Sequence, residues 1–315
     1  MPKHSSHRAA AEAIKPPGIH AISTRRRFLA AASIGIGYAA LGGRAVAGSV
    51  APLKVKDIVE HFLSRSPWVN RDRTVDRVII GDPEKQVDEC VVTWMPSFKA
   101  LRKMIEQGIF FMICHEPTFW NHRDKRPTDA TGLEKMKFIE KHGIVIVRNH
   151  DCWDRWPKIG IPSAWGQFLG LGAKPAKIRD GVQHRYDIEP TALDAFAGRV
   201  AARCAKIGEP MVQVTGDGRT RVSRIGVGTG CICDIPTYRE MGCDCSIVVD
   251  DGGNYWSSIQ HAADDGHPVI RVHHGVAEEP GMVTLTNYIN ANIVGLQAVL
   301  LPHGSTFRLV GARQG

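Results

Sequence analysis

The stretch FKALRKMIEQGIFFMICHEP, residues 98–117, contains the alternation that decides the fold. Its first part, Phe98–Glu106, carries apolar residues at helical spacing and is soon followed by a glycine, a residue typical of a helix end. The apolar run Ile109–Cys114 then has the length of a buried strand, and it stops at two polar residues, His115 and Glu116. The stretch therefore predicts a helix and a buried strand with polar side chains at the carboxyl end of the strand.

The same alternation continues on both sides of this stretch. Further strands are predicted at Val75–Ile80, Cys90–Trp94, Ile144–Arg148, Met211–Val214, Val222–Val227, Ser246–Asp250, Val269–Val272 and Phe307–Val310. Further helices are predicted at Val55–Leu63, Gly132–Lys141, Thr191–Ile207, Ile235–Met241 and Ser257–Ala263, and another starts within Asn287–Ala298. Buried apolar runs of this kind suit parallel or mixed sheets covered by helices. The sequence therefore predicts an α/β fold of two halves, residues 48–180 and 181–315, each with a mixed sheet flanked by helices.

The charge of the chain is concentrated near its N-terminus. The formal net charge is +8, but residues 1–47 hold seven Lys and Arg against one acidic residue, and the remainder holds 33 against 31. A nearly neutral body is poorly suited to following a phosphate backbone, which requires many Lys and Arg contacts. The charge distribution therefore argues against nucleic acid as a partner.

Residues 1–47 have the features of a twin-arginine export signal. The motif STRRRFL, Ser23–Leu29, precedes a weakly apolar run, Phe28–Leu41, and the small residues Ala45–Ala47 form a cleavage site. The apolar run is too short and too rich in Gly and Ala to anchor the chain across ~30 Å of hydrocarbon. We expect a mature protein that starts near Gly48, lies in the periplasm and keeps no stable membrane association.

Three clusters of polar residues follow predicted strands, where α/β sheets place their sites. They are CHEPTFWNH at residues 114–122, NHDCWD at 149–154 and VHHGVAEE at 272–279. In the third cluster His274 and Glu278 are four residues apart, so a helix would put both on one face. A histidine after a strand is also common as a hydrogen-bonded surface group. Three such clusters nevertheless favour a site for divalent metals, because imidazole and carboxylate are their standard ligands.

The eight cysteines of the chain leave several interpretations open. Four of them, Cys231, Cys233, Cys243 and Cys245, form two Cys-x-Cys pairs. Four thiolates could hold zinc, although Cys-x-Cys strains a tetrahedral site, and an oxidising compartment would permit disulfides. The simplest interpretation is small buried residues beside strands.

Aromatic residues are frequent around the three polar clusters, and two interpretations of them stay open. They could form a stacking pocket for a planar ligand, or they could be ordinary core and subunit-contact residues. The residues in question are Trp120, Trp153, Trp156, Tyr255 and Trp256.

The first cluster and its surroundings resemble the opening of the Nif-three-like dinuclear metal proteins, also called the GTP cyclohydrolase 1 type 2 family. The matching elements are VIIGDP at residues 78–83, the strand residues Val91 and Val92, a helix, and ICHEP at residues 113–117. In the family this strand ends in His-His-Pro. The resemblance covers the chain from about Val55 to its C-terminus, and the signal would make it an exported variant.

The other two clusters resemble the later motifs of the same family. His150 and Asp154 match a His-x-x-x-Asp motif at a strand end, and His274 and Glu278 match Gly-His-x-x-x-Glu, with His273 in place of the glycine. The resemblance implies two α/β parts, a toroidal homo-hexamer and two divalent metal ions, with Glu278 bridging them. The implied ligands are His115, Glu116, Asp154, His274 and Glu278.

Two departures from the family pattern affect the implied ligand set. Glu116 stands where the family has a second histidine, and Asp151, beside His150, could supply the middle carboxylate instead of Asp154. Oxygen donors are harder than imidazole, so the exchange at Glu116 favours iron or manganese relative to zinc, which is still possible.

The resulting functional hypothesis is a metal-dependent hydrolase of a small-molecule substrate, with His122 or Asp151 as proton shuttle. The alternative is a non-catalytic metal-binding or metal-delivery protein. The family label suggests GTP ring opening. We expect no meaningful GTP turnover, because the predicted compartment holds little GTP and the sequence lacks the P-loop pattern Gly-x-x-x-x-Gly-Lys-Ser/Thr.

Overall fold

The computed structural model describes residues 52–311, and within them it shows two mixed β-sheets flanked by helices. The predicted α/β class is therefore confirmed. The predicted export signal, residues 1–47, lies outside the described residues and stays a prediction. Among the helices of residues 52–311, none is long and apolar enough to cross a membrane.

The strands and helices are numbered in chain order. The strands are β1 (Arg77–Ile80), β2 (Glu89–Thr93), β3 (Phe111–Cys114), β4 (Val145–Arg148), β5 (Lys177–Arg179), β6 (Gln183–Ala192), β7 (Gln213–Thr215), β8 (Arg221–Val227), β9 (Cys245–Val249), β10 (Val269–Val272) and β11 (Gln297–Leu300). The helices are α1 (Val55–Ser64), α2 (Phe98–Glu106), α3 (Ala130–Lys141), α4 (Asp151–Asp154), α5 (Ile161–Phe168), α6 (Leu193–Cys204), α7 (Ile235–Glu240), α8 (His261–Asp264) and α9 (His274–Asn292).

The first sheet has the strand order β1-β4-β3-β2-β11. The strands β4, β3, β2 and β11 are parallel, and β1 pairs with β4 in the antiparallel direction. One face packs against α2 and α3, and the other against α1, α4 and the later part of α9. Because both faces are covered, the central strands read as continuous apolar runs, which is why the sequence predicts them well.

The second sheet has the strand order β5-β6-β8-β9-β10-β7. Its centre, β8-β9-β10, is parallel, and the remaining pairs are antiparallel. Its core contains side chains from α6 and α7 together with Val276 and Ala277 of α9. The next turns of α9, with Met282, Leu285 and Ile289, pack in the core of the first sheet. This single helix therefore contributes side chains to the cores of both sheets.

The C-terminal part of the chain differs from the sequence prediction. The sequence predicts a strand at Phe307–Val310, but the last strand of the described residues is Gln297–Leu300, which overlaps the end of the segment Asn287–Ala298 predicted to begin as a helix. Residues 307–310 are exposed and pair with no strand of the described chain. The helix before β11 starts at His274, well before the predicted Asn287, because Gly275 and Pro280 mask its helical spacing.

Four further elements were not predicted: the short β5 and α4, and the longer β6 and α5. The ten-residue strand β6 carries Arg185, Asp187 and Glu189 on exposed or half-exposed positions, so it shows no apolar run. Six of the eight residues of α5 are buried, so this helix has no extended polar face. Neither pattern has the period that identifies an amphipathic element. The Thr191–Ile207 helix is confirmed in its central part, since α6 covers Leu193–Cys204.

Candidate metal centre

Strands of both sheets end at one cavity, namely β3 and β4 of the first sheet and β10 of the second. The loops after β3, β4 and β10 bring the three polar clusters of the sequence together there. The cavity has a volume of about 370 Å³, and its lining includes Glu116, His122, His150, Asp154, His274 and Glu278. A site at the carboxyl ends of parallel strands is the usual location in α/β folds.

His115 is held rigidly at the end of β3. Its side chain is fully buried, and its backbone N–H and that of Glu116 donate to the carbonyl of Trp94 at 3.1 and 2.8 Å. Its ring Nδ1 lies 3.2 Å from the carbonyl oxygen of Asn149. A carbonyl only accepts, so Nδ1 carries a hydrogen, and Nε2 faces the carboxylates of Asp154 and Glu278.

Asp154 reaches the Nε2 atom of His115 from α4. Its Oδ1 lies 3.3 Å from that nitrogen, and its Oδ2 lies 3.3 Å from Nδ1 of His150. The buried carboxylate of Asp76 fixes the start of α4, because it accepts from the backbone N–H of His150 at 2.6 Å and from that of Cys152. Asp76 therefore positions the acid that faces His115.

Asp151 points to a different set of partners. Its carboxylate accepts from the hydroxyl of Thr74 at 2.8 Å and lies 2.9 Å from Nδ1 of His150. Partial burial would raise the pKa of Asp151, but the neighbouring imidazole holds it well below its usual range. The ring of His150 stacks on that of His115, with centroids 4.5 Å apart. Of the two acids that the sequence offered, Asp154 lies beside His115, and Asp151 orients His150.

His274 and Glu278 come from the first turns of α9. The carboxylate of Asp250 accepts from the backbone N–H of His274 at 2.6 Å and so fixes the start of the helix. The indole N–H of Trp94 donates to Oε2 of Glu278 at 2.7 Å. A side chain at Gly275 would come within 2.9 Å of the Trp94 ring, so this first turn needs glycine to let the indole reach Glu278.

Glu278 lies between the buried His115 and the partly exposed His274. Its Oε2 is 3.5 Å from Nε2 of His115, and its Oε1 is 3.0 Å from Nε2 of His274. Glu116 approaches the second of these nitrogens, with its Oε1 3.6 Å from Nε2 of His274. Glu278 therefore lies between His115 with Asp154 on one side and His274 on the other, and Glu116 is near His274 as well as near the His115–Glu278 pair.

The charges in this centre shift the protonation of its residues. Burial alone would lower the pKa of His115, but Glu278, Asp154 and Glu116 outweigh burial and raise it to about 10. The same balance, with Glu278 as the main carboxylate, raises the pKa of His274 to about 9. Burial would raise the pKa of Glu278, but His274 and His115 keep it well below its usual range. Protons therefore occupy the metal-free centre, and a bound cation would displace them.

The donor set fits divalent transition metals. The Nε2 atoms of His115 and His274 are buried and make no hydrogen bond to any described residue. Two sets of possible ligand atoms lie within 4.8 Å of one another, one from His115, His150 and Asp154 and one from His115, Glu116 and Glu278. Buried nitrogens without hydrogen bonds, beside carboxylates, are the arrangement that a metal satisfies.

The two remaining candidate residues are the proposed proton shuttles, His122 and Asp151. His122 lines the cavity, and its ring centroid is 6.1 Å from that of His150. Burial, with Arg148 nearby, lowers the pKa of His122, so its ring is neutral near pH 7. Asp151 is not among the lining residues.

The aromatic residues divide between the two interpretations. Trp153 and Trp156 are buried core residues, whereas Trp120 is 49% exposed and lines the cavity. Tyr255 and Trp256 are exposed on a π-helical turn, Tyr255–Gln260. Core packing therefore accounts for two of the five residues, and only Trp120 lies at the cavity.

The cysteines of residues 52–311 form no disulfide, and most are buried as the simplest interpretation predicts. Cys233, Cys243 and Cys245 are buried, and burial raises the pKa of each thiol, to about 11 for Cys243. Cys231 is exposed and lines the cavity.

Three residues of the centre were not singled out from the sequence: Trp94, Asp76 and Arg148. Arg148 could have been identified from the sequence, because an arginine at the end of an apolar strand is rarely buried without an anionic partner. Trp94 and Asp76 flank predicted strands, but their partners are distant in sequence, and only the fold brings them together.

Two histidines and three carboxylates beside one cavity form a candidate metal centre on a two-sheet α/β fold. The chain belongs to the Duf34/NIF3 (NGG1p interacting factor 3) family, whose model matches residues 53–302. The predicted family is therefore confirmed. No curated protein matches the chain.

Solved structures share the fold at low sequence identity. A hypothetical protein from Staphylococcus aureus is 14% identical with a TM-score of 0.67, and the match covers 83% of this chain and 100% of that one. HcgD from Methanocaldococcus jannaschii is 18% identical with a TM-score of 0.63, covering 80% and 99%. A protein from Thermus thermophilus is 19% identical with a TM-score of 0.63, covering 81% and 100%. At these identities the likeness concerns the fold alone.

Proposed function

We propose that the protein binds two divalent metal ions and uses them to hydrolyse a small-molecule substrate. The observation that carries the proposal is the position of Glu278, whose two carboxylate oxygens lie 3.5 and 3.0 Å from the Nε2 atoms of His115 and His274. One carboxylate that faces two imidazoles in opposite directions is suited to joining two ions. His115 and Asp154 would complete one position, and His274 and Glu116 the other.

The protein's own residues prepare this centre for hydrolysis. A pair of divalent ions supplies Lewis acidity, which polarises a substrate oxygen and acidifies water at neutral pH. The Asn149 carbonyl fixes the His115 ring, and the Trp94 indole fixes Glu278, so both ligands keep their orientation. The cavity beside them is large enough for a small ligand and is bordered by the exposed ring of Trp120.

Proton transfer falls to the histidines at the cavity. His122 lines the cavity with a lowered pKa, so its neutral ring can accept a proton near pH 7. Asp151 acts through His150, because its carboxylate lies 2.9 Å from the Nδ1 atom of that ring. The pair resembles other sites in which a carboxylate orients an imidazole.

The test is turnover by metal-loaded protein on a panel of esters, amides, cyclic amides and phosphate esters. Hydrolysis that disappears in Glu278→Gln and in chelator-treated wild type supports the proposal. Bound metal without turnover of any compound supports the alternative, a non-catalytic metal-binding or metal-delivery protein. Protein that binds no divalent metal would contradict both functions.

The proposed metals are iron or manganese, near two per chain. Three carboxylates among five ligands provide hard oxygen donors, which favour these ions relative to zinc. Metal analysis of protein purified from its own host without added metal tests this. Native protein filled with zinc would contradict the assignment.

We further propose that the mature chain acts outside the cytoplasmic membrane. The support is the order of motif, apolar run and cleavage residues within residues 1–47. Replacing Arg25 and Arg26 by Lys should leave the precursor unprocessed in the cytosol. Wild-type protein that stays unprocessed in the cytosol would contradict the proposal.

A homo-hexamer is proposed from the family resemblance. Light scattering on the mature protein measures its mass directly and should give six times the mass of one chain. A monomer or dimer at micromolar concentration would contradict this assembly.

A further inference from the structure

We propose that Glu116 and Arg148 act as one unit, an ion pair that replaces a neutral imidazole on the His274 side of the centre. The inference rests on the proposed metal-binding function and concerns residues of this chain only. Glu116 supplies the oxygen donor through Oε1, and Arg148 offsets its charge through Oε2. The pair would therefore deliver a ligand atom without adding net negative charge to the centre.

The position of Arg148 carries the inference. It is the last residue of β4, and its side chain is fully buried. A guanidinium cannot shed its charge inside a protein, so a buried one needs an anion or strong acceptors. Its Nη2 donates to Oε2 of Glu116 at 3.2 Å, while Oε1 of the same carboxylate faces Nε2 of His274 at 3.6 Å. The two oxygens of Glu116 thus have different neighbours.

The remaining hydrogen bonds of Arg148 hold the loop that contains Glu116. Its Nε donates to the carbonyl of His115 at 2.9 Å, and its Nη1 donates to that of His122 at 2.6 Å. A second acid, Asp124, lies 3.8 Å from Nη1, but its nearest donor is the backbone N–H of Phe119 at 2.8 Å. Among the described residues, Glu116 is the carboxylate that Arg148 contacts by a hydrogen bond.

The net charge of the ligand set explains why the pair matters. Three carboxylates give the five ligands a charge of −3, and Arg148 returns the total to −2, the value for a set with a neutral imidazole at this position. Arg148 and Glu116 therefore depend on each other. Changing Glu116 alone leaves Arg148 with Asp124, 3.8 Å away and without a hydrogen bond to it, as its remaining carboxylate neighbour. The cation near the centre is then offset less well, and like charges at close range repel strongly where the dielectric is low.

The experiment compares four proteins: wild type, Glu116→His, Arg148→Gln, and the double variant. Each is stripped with chelator and titrated with Mn²⁺ by calorimetry, and the bound metal is counted independently. We expect Glu116→His alone to lose affinity for one of the two ions by about tenfold or more, because the Arg148 cation loses the carboxylate to which it donates a hydrogen bond. The double variant should recover affinity to within about threefold of wild type, because neither member of the pair remains.

Arg185→Gln, combined with Glu116→His, is the matched control for the rescue. Arg185 pairs with Asp187 in β6 and donates to the carbonyl of Met241, away from the centre. Removing its charge should not restore metal binding. Unfolding temperatures of the metal-free variants separate loss of metal from loss of fold, and Arg148→Gln keeps an amide donor for the loop carbonyls.

The outcomes distinguish this inference from the proposed function. Normal Mn²⁺ binding by Glu116→His, or a double variant as weak as Glu116→His, would overturn the inference. If Glu278→Gln also binds two Mn²⁺ ions as wild type does, the metal centre itself is wrong. If Glu278→Gln binds none while Glu116→His binds two, the centre stands and only the role of the pair is contradicted.

Discussion

The two sides of the candidate centre are built differently. On the first side His115 is fully buried, donates to a backbone carbonyl and stacks on His150. On the second side the His274 side chain is 13% exposed, and its Nδ1 faces the exposed carboxylate of Asp251 at 3.7 Å. The first side is held by the backbone and core of the first sheet, and the second by charged side chains at the start of a helix.

Because of this difference, we expect the two metal positions to differ in rigidity and in metal affinity. A ligand fixed by a backbone carbonyl keeps its orientation with or without a metal, so the first position is preorganised. A ligand held by charged neighbours near the cavity can adjust when an ion or a substrate arrives. We therefore expect the first position to bind its ion more tightly and the second to respond more to substitution of surrounding charges.

The largest loss of metal affinity is expected for substitution of Glu278, the carboxylate that faces both histidines. Glu278→Gln keeps the shape of the side chain but removes the charge between the histidines, so affinity at both positions should fall on the order of a thousandfold. Calorimetric titration with Mn²⁺ measures the loss.

The adjacent Glu279→Gln is the matched control for this variant. Glu279 is similarly buried but accepts from the backbone of His303, away from the centre. It should bind both ions normally. A Glu278→Gln protein that loses only one ion would show that the two sides do not share this ligand.

The second prediction separates the sides directly. His115→Ala should abolish the tighter site and also destabilise the metal-free fold by roughly 3 kcal/mol, because it empties a fully buried position. His274→Ala should remove the weaker ion at a smaller cost in stability, since its side chain is partly exposed. Thermal unfolding and metal counting on both variants provide the measurements. Equal effects on stability and stoichiometry would contradict the proposed asymmetry.

The third prediction uses the raised pKa values of the two histidines, about 10 for His115 and about 9 for His274. Both rings are protonated in the metal-free protein at pH 7, so each ion displaces a proton and affinity should rise about tenfold per pH unit. The rise should end near pH 9 for the His274 side and continue toward pH 10 for the other.

The same pKa values fix the sign for stability without metal. A histidine whose pKa is raised by folding stabilises the fold below its unfolded pKa, about 6.5, and this contribution is lost as pH rises through 9 to 10. Chelator-treated protein should therefore become less stable between about pH 7 and 9. Glu278→Gln should show a weaker pH dependence. Metal affinity that stays constant from about pH 6.5 to 8.5 would contradict the assignment of these protons.

The smallest expected effect concerns the support of Glu278. Trp94→Phe removes the indole donor and leaves one carboxylate oxygen without its hydrogen bond. We expect a loss of metal affinity of about tenfold at the position that uses Oε2, with about 1–2 kcal/mol of stability. The His274 side, which faces Oε1, should change less. An equal loss at both positions would indicate that the ring shapes the cavity as a whole.

The sequence predicts those parts of the molecule whose pattern is local. The central strands of the first sheet are buried on both faces, so β3 and β4 appear as continuous apolar runs with polar residues at their ends. The spacing of His274 and Glu278 likewise depends only on the helical period. Strands and residues of this kind can be assigned without knowing what lies beside them.

The parts that were missed depend on partners far along the chain. Trp94 gains its role only because α9 brings Glu278 to it, and the separation is 184 residues. The choice between Asp151 and Asp154 depends on which way α4 starts, and this is fixed by Asp76 in a different loop. β11 lacked a strong pattern because the edge of a sheet needs fewer apolar residues than its centre.

The pairing of β11 with β2 of the first sheet has a consequence for folding during synthesis. Chains fold broadly from the N-terminus as they leave the ribosome, yet β2 lacks its outer neighbour until Gln297–Leu300 has emerged. Until then β2, which is a largely buried strand in the finished sheet, forms the exposed edge, and an exposed strand edge is the surface most prone to pairing with another chain. We therefore expect the nascent protein to depend on chaperones, or on rapid completion of its last residues, more than a chain of two sequential domains would.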